Sequence, residues 1–176
     1  MTALAVLFYL WVGWLSVGHP PNATATYPAI RAGRTNAPAQ WVGIETANGG
    51  LVQAGVFAFA GGTDQAFAAF CQRTTLCTPQ HVWPVTPGDR VTIGVNWLGG
   101  NRWRMSVWDR TAGWARWVHG RYPGRPAHDV WVTETQSSVP WRGVAMFSRP
   151  TAVPVAPIAN PLSGLRPAGR FQVVGQ

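Results

Sequence analysis

The sequence predicts an all-β protein, an antiparallel sandwich or barrel, and three observations carry that prediction. Apolar and polar residues alternate in short runs, clusters of Gly, Pro, Asn and Asp separate the runs, and helical periodicity is almost absent. Composition agrees: twenty Gly, fifteen Pro and eleven Trp accompany only 11% charged residues, from which few long amphipathic helices can be made. The 176 residues suffice for one domain with a real core and are few for two.

Taken in order, Met1–Val17 (MTALAVLFYLWVGWLSV) is apolar apart from Thr2 and Ser16, and Ala23-Thr24-Ala25 follows as a small-x-small pattern. This reads as a secretory signal over residues 1–25, with the mature chain beginning near Thr26. The apolar run is shorter than the roughly 20 residues a spanning helix needs, so a stable membrane partner is expected only if the segment stays uncleaved. Residues 26–39 lack any period and read as a linker.

The stretch Gln40–Phe59 (QWVGIETANGGLVQAGVFAF) sets two alternating runs around Asn48-Gly49-Gly50, a β-hairpin signal. A three-residue loop there pairs Glu45 with Gln53 and Trp41 with Phe57, and turns Val42, Ile44, Val52 and Val56 to the opposite face. Residues 65–70 are ambiguous between a helical turn and a strand. Cys71 and Cys77 flank a loop, CQRTTLC, and an exported chain would pair them.

Beyond the turn cluster at Pro84–Asp89, Val91, Ile93, Val95 and Trp97 alternate in a strand. Further strands follow at Arg102–Trp108, Trp114–Val118, Asp129–Gln136 and Gly143–Ser148. The β domain thus spans residues 40–149, and the Pro-punctuated residues 150–176 read as an irregular tail.

The net charge of +8 arises mainly because Asp and Glu are scarce, and the arginines are scattered rather than clustered. No nucleic-acid partner is expected. The four histidines show no short ligand spacing, so no metal and no cofactor are expected.

Six acidic residues make up the whole inventory of carboxylates. Asp64, Asp89 and Asp109 fall in turn clusters, where local hydrogen bonding explains them, and Asp129 has an easy surface explanation. Glu45 and Glu134 lie inside strands, where Glu is disfavoured. Glu134 shares its face with Val130 and Val132. Trp97 and Trp103 alternate with aliphatics as core residues do, whereas Trp41, Trp108 and Trp131 lie on mixed faces.

Four segments, in order, resemble the glutamic peptidases, the eqolisin family of secreted acid endopeptidases. They are Trp41-Val42-Gly43-Ile44-Glu45, Leu51-Val52-Gln53-Ala54-Gly55, Pro87-Gly88-Asp89 and Trp131-Val132-Thr133-Glu134. The family pattern is W-x-G-I-D, L-x-Q-x-G, P-G-D and W-[IV]-x-E, so this chain departs by carrying Glu45 for Asp. It also has no counterpart of the family's W-Y-E stretch in residues 66–83. The family places further strands before the first motif, where this chain shows only the signal-like segment and linker.

The resemblance implies a concanavalin-like jelly-roll sandwich and a catalytic pair, Gln53 and Glu134, with Trp41 and Glu45 binding substrate. The implied reaction is metal-independent hydrolysis of a protein or peptide substrate in acid by a secreted, monomeric endopeptidase. Two competitors are a catalytically inactive sandwich that binds carbohydrate or peptide, and a glycosidase using Glu45 and Glu134 as acid and base.

Overall fold

The computed structural model describes residues 10–16, 22–29, 38–58, 64–72, 79–135, 143–146, 155–159, 165–169 and 172–175. Every element among them is a strand: β1 (Leu10–Ser16), β2 (Asn22–Pro28), β3 (Pro38–Thr46), β4 (Leu51–Ala58), β5 (Asp64–Cys71), β6 (His81–Val85) and β7 (Arg90–Trp97). The series continues with β8 (Arg102–Asp109), β9 (Trp114–Arg121), β10 (Pro126–Thr135), β11 (Gly143–Met146), β12 (Val155–Ala159), β13 (Leu165–Gly169) and β14 (Gln172–Gly175).

A seven-stranded sheet has the order β12-β1-β10-β3-β4-β5-β6, and a four-stranded sheet the order β2-β7-β8-β9. A third sheet, β11-β14-β13, uses the C-terminal strands. Val42, Ile44, Val52, Val56 and Trp131 of the large sheet pack against Val91, Ile93, Val95, Trp103, Met105 and Val107 of the small one. Alternation alone places these residues inward, because successive side chains of a strand point to opposite faces. The other face of the large sheet carries a second apolar cluster that includes Trp41, Leu51, Phe67, Val130 and Val132.

Several expectations change. The segment read as a removable leader supplies β1, an inner strand paired with β10 on one side and β12 on the other. It also supplies most of β2, so cleavage after Ala25 would cut that strand midway. An apolar run withdraws the same surface from water in a sandwich as in a membrane, and composition does not separate the two. The expected linker likewise contributes the end of β2 and the start of β3, so the sandwich extends well before Gln40. The tail read as irregular contains β12, β13 and β14. Residues 65–70 resolve as part of β5.

The hairpin forms in a different register. Gln53 pairs with Gly43, Trp41 with Gly55, and Glu45 with Leu51, so Glu45 and Gln53 are not direct cross-strand partners. Since alternation has period two, a slip of two residues preserves every face and changes every partner. The loop is Ala47-Asn48-Gly49, closed by Thr46 N donating to Gly50 O at 2.8 Å. Gly49 takes the left-handed position with φ of 81°. Gly50 lies against the Tyr122 ring, where any Cβ would overlap the hydroxyl.

Candidate active site

Strands β3, β4 and β10 bring the motif residues onto one face of the large sheet, the face of the second apolar cluster. Their pairings define rows across it. Ala69, Gln53, Gly43 and Val130 form one row, and Phe67, Gly55, Trp41 and Val132 the next. Phe57, Ala39 and Glu134 form the third. Gln53 and Glu134 therefore share a face but not a row. They stand two strands apart, about 10 Å, and four residues out of step, about 13 Å along the strands. Trp41 lies in the row between them.

Two glycines open this face. A Cβ on Gly55 would overlap Trp41 Cβ and stand 2.5 Å from Gln40 O and 2.8 Å from a Phe67 ring carbon. A Cβ on Gly43 would stand 2.9 Å from Leu51 Cδ1. Trp41 and Gln53 each face a glycine across the hairpin, which lets the indole lie over the sheet. This pairing escapes a reading of single residues, although the repeated spacing in Trp41-x-Gly43 and Gln53-x-Gly55 was its available sign.

Gln53 is buried, and its Nε2 donates to Cys71 Sγ at 3.7 Å. Sulfur is a weak acceptor, so exchanging it for a charged oxygen costs little. The indole N–H of Trp41 is buried with no hydrogen-bond partner, a donor held in reserve on the same face. Phe57 and Phe67 stack at 4.3 Å between centroids and wall one side. Glu134 is half-buried at the other. Glu45 is half-buried one row beyond Gln53, its backbone paired with Leu51 and His128.

The opposite face of β10 corrects two expectations. Asp129 is fully buried rather than a surface residue, and neither carboxylate oxygen has a hydrogen-bond partner. Burial pushes its pKa up to about 8, so the carboxyl is neutral in acid. Its backbone N–H donates to Ser16 Oγ at 2.7 Å, which ties β10 to β1. Trp131 is core, and its indole donates to Thr24 O at 3.0 Å.

Asp64 is also buried without a hydrogen-bond partner, and burial, with a contribution from Asp89, raises its pKa to about 7. Asp109 and Asp89 behave as turn carboxylates. Asp109 accepts from Thr111 N and Ala112 N, and Asp89 from Thr86 N. Among the described residues no three of His, Cys, Asp and Glu gather as a metal site.

A structure of scytalido-glutamic peptidase with a transition-state analogue inhibitor matches 96% of this chain and 98% of its own, with a TM-score of 0.70 at 14% identity. The chain has the eqolisin fold. SCP-B, a member of the eqolisin family of peptidases in a complex with the tripeptide Ala-Ile-His, matches over the same shares with a TM-score of 0.65 and 14% identity. No protein-family profile and no curated protein sequence matches the chain. The eqolisin fold accounts for the strands before the first motif: here β1 and β2 provide them.

Proposed function

We propose that the protein is an acid endopeptidase that hydrolyses peptide bonds with Glu134 and Gln53. The observation that carries this reading is that the two motif residues emerge on one face of the large sheet in a chain with the eqolisin fold. Glu134, as carboxylate, takes a proton from a water as its oxygen attacks the scissile carbonyl carbon. The carbonyl π electrons move onto oxygen, and the Gln53 amide donates to that oxyanion. When the tetrahedral species collapses, the C–N bond breaks and Glu134 returns the proton to the leaving amine. Glu134 handles the water and Gln53 the oxyanion, so both side chains must lean inward over the Trp41 row to meet at one carbonyl. A donor aimed at the oxyanion contributes about 3 kcal/mol to lowering the barrier.

Trp41 and Glu45 line the path of the substrate, the indole N–H of Trp41 being available to a peptide carbonyl. The base must be ionised to take that proton. Export to an acidic exterior and a Cys71–Cys77 disulfide belong to the same proposal. Cys77 lies outside the described residues. Retention of β1 requires any processing to fall before Leu10.

The four-residue offset favours one competitor, an inactive sandwich that binds peptide on this face. Digestion of a denatured protein between pH 2 and 6 decides between them. Wild type should cleave and Glu134→Gln should not, with both melting alike. No cleavage by well-folded wild type, or equal cleavage by the variant, would overturn the peptidase reading.

A further inference from the structure

The outward face of the four-stranded sheet points away from the motif residues and carries a different chemistry. Trp108 and Trp117 are 43% and 60% exposed there. Trp108 pairs with Ala115 and Ser106 with Trp117, so the two indoles are diagonal neighbours across β8 and β9, roughly 7–8 Å apart at the backbone. Large aromatic surfaces left open on a flat sheet mark a binding surface more often than scattered apolar residues do.

The polar groups around them are ordered. The Arg110 guanidinium lies 3.4 Å over the Trp108 ring, and its Nε donates to Thr92 Oγ1 at 3.0 Å. Thr92 and Thr26 hydroxyls pair at 2.9 Å. Arg104 donates to Asn96 Oδ1 at 3.4 Å, and Asn96 Nδ2 to Asn22 Oδ1 at 2.6 Å. The result is a ladder of hydroxyls and amides that donate and accept, crossed by guanidinium groups. Within β2, β7, β8 and β9 the one carboxylate is Asp109, which is fully buried. The fixed charges on the face are guanidinium groups, Arg104 and Arg110 among them.

We propose that this face binds a polysaccharide whose sugar rings carry carboxylates, a polyuronate. The open Trp117 ring accepts the C–H face of a pyranose, and the partly exposed Thr92, Asn96 and Asn22 side chains meet its hydroxyls. Arg110, already flat against Trp108, presents its remaining N–H groups as a fork to the carboxylate of the neighbouring ring. A nucleic-acid base can stack on Trp117 as a pyranose can, but the Thr and Asn groups on the same face match sugar hydroxyls, which is why the sugar polymer is favoured. The proposal is independent of the peptidase reading, since it uses the other sheet.

The test uses the full chain with polygalacturonate at pH 5, followed by affinity electrophoresis and calorimetry. Wild type should bind polygalacturonate at least tenfold more tightly than its methyl-esterified form, and binding should weaken as salt rises from 0.05 to 0.5 M. Trp117→Ala and Arg110→Gln should each weaken binding about fivefold to tenfold. Both side chains are exposed, so melting temperature should be unchanged, and any proteolysis of a non-glycosylated substrate should stay at the wild-type rate. The proposal is overturned if polygalacturonate does not bind, if the esterified polymer binds equally, or if neither variant weakens binding. It is also overturned if a single-stranded oligonucleotide binds more tightly than polygalacturonate and depends on Trp117.

Discussion

A single methyl group tests the candidate site most sharply at the residue scale. Gly55→Ala places a Cβ against Trp41 Cβ and the Gln40 carbonyl, and a backbone oxygen cannot rotate aside. Overpacking of this kind costs about 1–3 kcal/mol, and chemical denaturation should show that loss. Trp41 must move with it, so activity should fall further than stability predicts. Asp129 offers the opposite experiment. Its carboxyl is buried with both oxygens unpartnered, and Asp129→Asn removes the charge while keeping the shape. The variant should melt near wild type at pH 3 and above wild type at pH 7. At the candidate dyad, Gln53→Ala should lower kcat on a denatured protein by roughly a hundredfold through loss of the oxyanion donor, with less change in KM.

The decisive element is β1. It lies between β10 and β12, and Ser16 Oγ accepts from Asp129 N. A chain beginning at Thr26 would leave β10 with a bare edge and its Trp131 indole without Thr24 O. Unpaired edges invite association with other chains. The truncated protein should be poorly soluble and should lose cooperative unfolding by circular dichroism, whereas a chain beginning at Leu10 should retain both. Ser16→Ala in the intact chain should cost only about 1 kcal/mol, the worth of one hydrogen bond. The strands that were legible in the sequence, β3, β4, β7, β8, β9, β10 and β11, are those whose residues alternate or are bounded by turn residues. β1 was not legible, because a strand apolar along its whole length carries no alternation.

The whole molecule should be built for acid. The carboxyls of Asp64 and Asp129 have pKa values raised to about 7 and about 8, mainly by burial, against about 3.9 in an unfolded chain. Between those limits the folded state holds protons that the unfolded state has released, so stability falls as pH rises. Each group contributes a slope of about 1.4 kcal/mol per pH unit. Their stabilisation is complete below about pH 4 and is lost through pH 7 to 8. Asp109, raised in the same direction by burial and by Asp89, adds to the trend. Thermal melts from pH 3 to 8 should show the midpoint falling steadily, and the double variant Asp64→Asn, Asp129→Asn should flatten the curve. By itself the sequence determined the fold class and the faces of each strand: Trp41 and Gln53 belong to one side of their hairpin, and Glu134 to the side of its strand that carries Val130 and Val132, because side chains alternate with period two, a purely local rule. The tertiary structure alone decided which residues stand opposite one another, that Leu10–Ser16 form an inner strand, that Glu134 shares the face of Gln53, and that Asp129 is sealed from water. Those depend on contacts between residues as many as 147 positions apart, Val12 and Ala159, and local alternation is satisfied equally well by a pairing shifted by two.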